Sequence, residues 1–251
     1  MATLSRTTQP EDEALIHPVR GKGDPHVSGD VLMVIVRQGL DSLLASGKVK
    51  SLARFDMYHF YIYQVEYRDK GTCLLCGPFT GAPHAVMVLE KMIALGAGRI
   101  WVTGWCGSLQ PDLRIGDVLL PTRAVSEEGT SSHYPIGDRG PSSSPALNRR
   151  LEGTLKALDR PFRKGAIWST DAPFRETRRK VEGYRQRGVL AVDMEMAALM
   201  TVAIFRKVEL TGLLVVSDEL FGGTWNAGFS SRRFREASEG LHMFMLEFLS
   251  S

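Results

Sequence analysis

Cysteine is scarce in this chain: three residues, Cys73, Cys76 and Cys106, among 251. That excludes a disulfide scaffold, and a chain of this length buries a substantial core without one. Cys73 and Cys76 have the C-x-x-C spacing, but they sit in the apolar run Thr72-Cys73-Leu74-Leu75-Cys76 and no second ligand pair follows. They read as core, not as a redox or metal pair. Long apolar runs are missing too, and nothing approaches the ~20 residues of a membrane helix. Residues 1–18 are polar with no apolar stretch, so no secretory signal is expected. Reduced cysteines suit a cytoplasmic location. Charge bias is also lacking. Lys and Arg total 31 against 28 Asp and Glu, a net +3 scattered along the chain. Nucleic acid and membrane surfaces are therefore not expected partners, while a small anionic substrate is compatible.

What the chain does have is an alternation of strand-like and helix-like segments. Residues 1–29 hold few apolar side chains and several Gly and Pro, and read as a mobile arm; residues 30–251 read as one domain. Val31–Val36 is a continuous apolar run of strand length, followed by a helical pattern over Leu40–Ala45. The aromatic and β-branched stretch Phe60–Tyr67, the turn Arg68-Asp69-Lys70-Gly71 and the run Thr72–Cys76 make a hairpin signature. Gly77–Pro83 is a Gly/Pro loop opening into an amphipathic helix over His84–Leu95. Further strands are expected at Arg99–Thr103, Asp117–Pro121 and Gly165–Thr170, with helices at Leu147–Leu158 and Arg175–Arg187. Residues 126–145, rich in Ser, Gly and Pro, form a loop too long for a plain connector. Such alternation predicts an α/β fold with a largely parallel sheet covered on both faces, made mixed by the hairpin.

One acid stands out. In Val192-Asp193-Met194-Glu195-Met196-Ala197-Ala198, Glu195 lies in the apolar start of a helix. An ionised carboxylate there is costly unless an internal donor or a hydroxyl-rich ligand partners it. The bland alternative is a helix-start carboxylate satisfied by the helix dipole and backbone N–H groups. A second acid, Asp218, ends the apolar strand Leu213–Ser217, where ligands gather in open α/β sheets; its own alternative is a helix N-cap.

At Gly104-x-x-Gly107, Ile115-Gly116-Asp117-Val118-Leu119, Val192-x-Met194-Glu195 and Val216-Ser217-Asp218, the chain resembles the nucleoside phosphorylase-I family. That family includes uridine phosphorylases, hexameric purine nucleoside phosphorylases and related nucleosidases. The motifs occur in the family's order and cover roughly residues 31–248. The resemblance implies a three-layer α/β/α sandwich around a mixed, partly barrel-like central sheet. It implies cleavage of an N-glycosidic bond through an oxocarbenium-like sugar. Glu195 would accept hydrogen bonds from the ribose hydroxyls, Met194 would pack on the sugar, and His133, in a loop similar to that of uridine phosphorylase, would join them; His84 is a second candidate for the sugar's 5′ end. Val192, Phe174, Arg175 and Asp218 would meet the base. In the purine-handling branch the matching aspartate protonates the base, usually assisted by an arginine, here Arg232 or Arg233. Trp168 reads as core. Gly77, Gly81, Gly104, Trp105 and Arg37 would face the phosphate.

The pattern breaks on that phosphate side. The family's Gly-Asp-Pro turn after the first strand is replaced by Val36-Arg37-Gln38-Gly39, and Gly23-Asp24-Pro25 falls before the strand. A family arginine is replaced by Val102, a hydroxyl residue by Trp105, and the arginine lent by a neighbouring subunit falls at Tyr58. Arg37, Arg54 and Arg99 are candidate substitutes. The resemblance thus implies a cytoplasmic nucleoside phosphorylase with phosphate as co-substrate and no metal or organic cofactor. The base, purine or pyrimidine, is open. It also implies a homo-oligomer, dimer, trimer or hexamer, whose interface would suit the aromatic segment 58–67. The alternatives are a phosphate-independent nucleosidase and a non-catalytic nucleoside-binding protein.

Overall fold

The computed structural model describes residues 14–27, 29–57, 59–67 and 72–250. The expected turn at 68–71 and Tyr58 lie outside them, as do residues 1–13 of the arm. In chain order the elements are β1 (Gly29–Val34), α1 (Arg37–Ala45), β2 (Val49–Asp56), β3 (Tyr61–Tyr67), β4 (Thr72–Gly77), α2 (Ala82–Leu95) and β5 (Ala97–Ser108). They continue with β6 (Val118–Ser126), α3 (Pro145–Ala157), β7 (Arg163–Ser169), α4 (Arg178–Gln186), β8 (Val189–Asp193), α5 (Met196–Arg206), β9 (Glu209–Glu219), β10 (Asn226–Ala227) and α6 (Arg232–Leu249).

The strands form one mixed sheet in the order β10-β9-β6-β7-β8-β5-β1-β4-β3-β2. An additional β9–β5 pairing closes β5, β9, β6, β7 and β8 into a barrel, as the family resemblance implied. Strand β5 is parallel to β1 and β9 and antiparallel to β8, so it is the seam between barrel and open sheet. The expected hairpin is there, β3 antiparallel to β4, with β2 added outside β3 as an edge strand.

Side-chain alternation sends successive residues of one strand to opposite cores. Val31 and Met33 of β1 join Ile100 and Val102 of β5 beneath α2 and α5. Leu32 and Val34 join Trp101, Leu213 and Val215 on the other face, beneath α1, α3 and α6. The same alternation separates Cys73 from Cys76, one in each core, and both are free thiols. Burial pushes the Cys73 thiol up to about 12 and Cys76 higher still, so neither supplies a thiolate.

Before β1 the chain is held against α2. Val27 is fully buried and its N–H donates to the Leu95 carbonyl at 2.9 Å, while Lys91 pairs with Asp24 at 2.6 Å and donates to the Val19 carbonyl. No helix among the described residues is long and apolar enough to cross a membrane.

Gly104-Trp105-Cys106-Gly107-Ser108 continues β5, because β9 pairs with it as far as Ser108↔Glu219. Its glycines serve close approach: a Cβ on Gly104 would lie 2.7 Å from Ile35 Cδ1, and one on Gly107 2.7 Å from Leu220 Cδ1.

Candidate active site

The C-terminal ends of β1, β5, β8 and β9 converge on a cavity of about 930 Å³. Its wall includes Met194 and Glu195 after β8, Val192 and Asp193 within it, and Ser217 and Asp218 on β9. Trp105, Cys106 and Gly107 of β5 contribute, as do Arg37, Phe79, His84 and Phe174. Glu195, Met194, Val192, Asp218, Phe174, Trp105 and Arg37 are therefore brought together, although Phe174 lies at the mouth and is 99% exposed.

Of the carboxylates at this end of the barrel, Asp193 and Glu219 brace neighbouring backbone N–H groups, while Glu195, Asp218 and Glu176 line the cavity. Asp193 caps α5: its Oδ2 accepts the N–H groups of Met196 at 2.7 Å and Glu195 at 3.1 Å, and its Oδ1 accepts from Ser169 Oγ. The side-chain cap at this helix start is therefore Asp193, while Glu195, as its alternative reading expected, also takes backbone N–H groups. Glu195 is buried with no ion pair: Oε1 accepts the Gly81 N–H at 2.7 Å and Oε2 the Met194 N–H at 3.3 Å. Burial raises the pKa of both acids, and for Glu195 the Asp193 charge adds to it. At the end of β9, Glu219 is the structural acid, held by Arg114 Nε at 2.8 Å, the Ile115 N–H at 3.1 Å and Asn226 Nδ2 at 3.0 Å. Asp218 faces the cavity, accepting from Ser217 Oγ at 2.6 Å and from Trp225 Nε1 at 2.9 Å.

Two cavity residues have no counterpart in the sequence motifs. Glu176 follows the short 3₁₀ turn Pro173–Arg175, and among the described residues its half-buried carboxyl has no hydrogen-bond or ion-pair partner. Burial and the Asp218 charge push it up to about 7. Trp225 reaches the cavity because the β9–β10 hairpin folds it back over Asp218. Glu176 could have been flagged as the acid directly after Phe174 and Arg175, both expected to meet the base; Trp225 gave no spacing signal.

Other expected residues lie elsewhere. His133 ends an exposed 3₁₀ turn (Thr130–His133), and Arg175 is exposed; neither lines the cavity. Gly77, Gly81 and Gly104 do not line it either. Gly77 has φ +151°, and a Cβ there would lie 2.2 Å from the Val34 carbonyl oxygen, so close backbone approach explains it. Arg232 pairs with Glu236 and Arg233 with Asp117, away from Asp218. Arg99 forms two 2.8 Å bonds to Asp30, and Arg54 lies over the Tyr61 ring. Trp168 is fully buried, stacked on Tyr184.

Donors for an anion are therefore few. Arg37 is the one arginine in the described cavity wall; its side chain is 72% exposed and 3.4 Å from Asp41. Trp105 spends its N–H on Ser238 at 2.9 Å, and Gly81 spends its own on Glu195. His84 Nδ1 accepts the Thr80 N–H at 3.4 Å, which places the ring proton on Nε2, a buried donor with no partner. Burial and the nearby His59 lower the His84 pKa and favour that neutral ring.

The family profile described as Phosphorylase superfamily matches residues 31–250. A purine nucleoside phosphorylase of Plasmodium falciparum is 30% identical over 182 residues, covering 69% of this chain and 74% of the relative. The structure of a Toxoplasma gondii purine nucleoside phosphorylase in complex with immucillin-H superposes with a TM-score of 0.76 at 21% identity, covering 96% and 92% of the two chains. A uridine phosphorylase of Vibrio fischeri ES114 gives 0.75 at 20% identity, covering 87% and 90%.

Proposed function

This chain belongs to the phosphorylase superfamily, and on that premise we propose that it cleaves the N-glycosidic bond of a purine nucleoside with phosphate, giving free base and ribose 1-phosphate. The observation that carries the reading is Glu195, a buried carboxylate without a cationic partner in the wall of a 930 Å³ cavity. Each Glu195 oxygen accepts one backbone N–H and keeps a further acceptor position, which the ribose hydroxyls fill; charge-assisted bonds to them are the strong kind. Met194 offers the sugar a soft apolar surface beside it. The base departs toward Asp218, between Phe174, Val192 and Trp225. The 30% identical purine enzyme supports purine over pyrimidine.

Phosphate enters beside Arg37, Thr80 and His84. On this reading the protein acts in the cytoplasm as a homo-oligomer, without metal or organic cofactor.

A second reading has water as acceptor, and the scarcity of free donors on the Arg37 side favours it. Desolvating a phosphate dianion takes several charge-assisted hydrogen bonds. Base release from inosine, measured with and without phosphate, separates the two. Phosphate-dependent release with ribose 1-phosphate supports the phosphorylase, phosphate-independent release with free ribose supports the hydrolase, and no release under either condition overturns both.

A further inference from the structure

The cavity end that receives the base carries two acids, and they differ in what they offer. Asp218 already accepts a hydrogen bond on each oxygen, from Ser217 Oγ and from the Trp225 indole N–H. It meets a ligand as an acceptor. Glu176 lines the same cavity with an unpartnered carboxyl, on a segment fixed by the Pro173–Arg175 turn and by the helix that Thr177 caps. We propose that Glu176 is the general acid that hands its proton to the departing base, and that Asp218 acts through it, as the negative neighbour that keeps that proton in place. The proposal rests on the reading that the chain cleaves a nucleoside.

The chemistry balances. As the C1′–N bond breaks, its electron pair passes to the base, and the Glu176 Oε–H proton moves to the base with it. The acceptor oxygen, from phosphate or water, forms the new bond to C1′ and releases its own proton to solvent, from which the Glu176 carboxylate is recharged. A group suited to this must hold a proton near neutral pH and give it up readily. Glu176, pushed up to about 7, meets that condition. The two carboxyls differ in their partners, one accepting a donor on each oxygen and one without any.

Among the charged groups facing this end, Asp218 on β9 is the one whose field acts on Glu176. Asp193, Glu195, Arg37 and His84 line the same cavity, and the chain neighbour Arg178 gives its Nε–H to the Gly223 carbonyl at 2.9 Å.

The test compares two substrates that differ in their need for an acid. Inosine must have its base protonated; p-nitrophenyl β-D-ribofuranoside releases a phenolate that needs no proton. Wild-type protein is expected to cleave both, with kcat for inosine falling as pH rises through about 7. Glu176→Gln is expected to lower inosine turnover by about 100-fold or more, to abolish that falling limb, and to leave the aryl riboside within a few-fold. Asp218→Asn removes the negative neighbour, so the falling limb is expected to move to lower pH. If Glu176→Gln keeps inosine turnover, or loses both substrates equally with the fold intact by circular dichroism, the acid is not Glu176. If Asp218→Asn alone shows the selective loss of inosine, the roles are reversed and the proposal is overturned. Wild-type protein that cleaves neither substrate sinks the nucleoside reading itself, a result distinct from all of these.

Discussion

Glu195 Oε1 accepts the Gly81 N–H at 2.7 Å, which ties the acid at the start of α5 to the residue that precedes α2. The bond crosses 114 positions of sequence and fixes the carboxyl group without supplying a counter-charge. Glu195→Ala is expected to weaken nucleoside binding by about 10- to 100-fold, the cost of roughly one to two charge-assisted hydrogen bonds, with the fold retained. Calorimetric titration checks this, and unchanged affinity removes Glu195 from the site.

The same acid should leave a signature in stability. Its pKa is raised in the folded protein, so the folded state binds more protons than the unfolded one between the ordinary carboxylate range and the raised value. Stability must then fall as pH rises through that window. Melting of the ligand-free protein is expected to be higher near about pH 5 than near about pH 8, and Glu195→Gln should flatten part of that slope while raising Tm at the higher pH. A slope identical to wild type would show that Glu195 does not carry it.

Asp193 has the opposite role. Asp193→Ala removes the acceptor for the Glu195 and Met196 N–H groups and for Ser169 Oγ. The expected loss is about 1–3 kcal/mol of folding stability, read from denaturant unfolding. Nucleoside affinity should fall as well, because the cap positions the peptide that carries Glu195.

Arg37 reports on the acceptor. Arg37→Ala is expected to raise the KM for phosphate by about tenfold while the nucleoside KM stays close to wild type, since the loss is of one exposed ionic donor. Steady-state kinetics with phosphate varied at fixed inosine decide it; an unchanged phosphate KM excludes Arg37 as a phosphate ligand.

Much of this site was legible because its residues sit where topology puts them. Glu195, Met194, Val192 and Asp218 occupy strand ends and strand-to-helix turns, positions that motif order and apolar periodicity locate well. Side-chain direction is set by distant partners, and there the sequence was silent. Arg99 is turned away by Asp30, 69 residues earlier, and Arg233 is held by Asp117, 116 residues earlier. Glu176 and Trp225 arrive by a 3₁₀ turn and a short hairpin, neither of which leaves a periodic trace. Strand β2 escaped for a related reason: as an edge strand with most of its residues exposed, it carries no run of buried side chains.

The cavity wall is assembled from separate stretches between Ile35 and Phe229, from the end of the first strand to the approach of the last helix. No fragment of the chain holds enough of it to recognise anything alone. Any molecule that lodges there bolts the barrel to the open sheet, so its grip is felt by the entire fold as resistance to heat. A melting curve recorded against a collection of nucleosides and anions would therefore sort true occupants from bystanders independently of turnover.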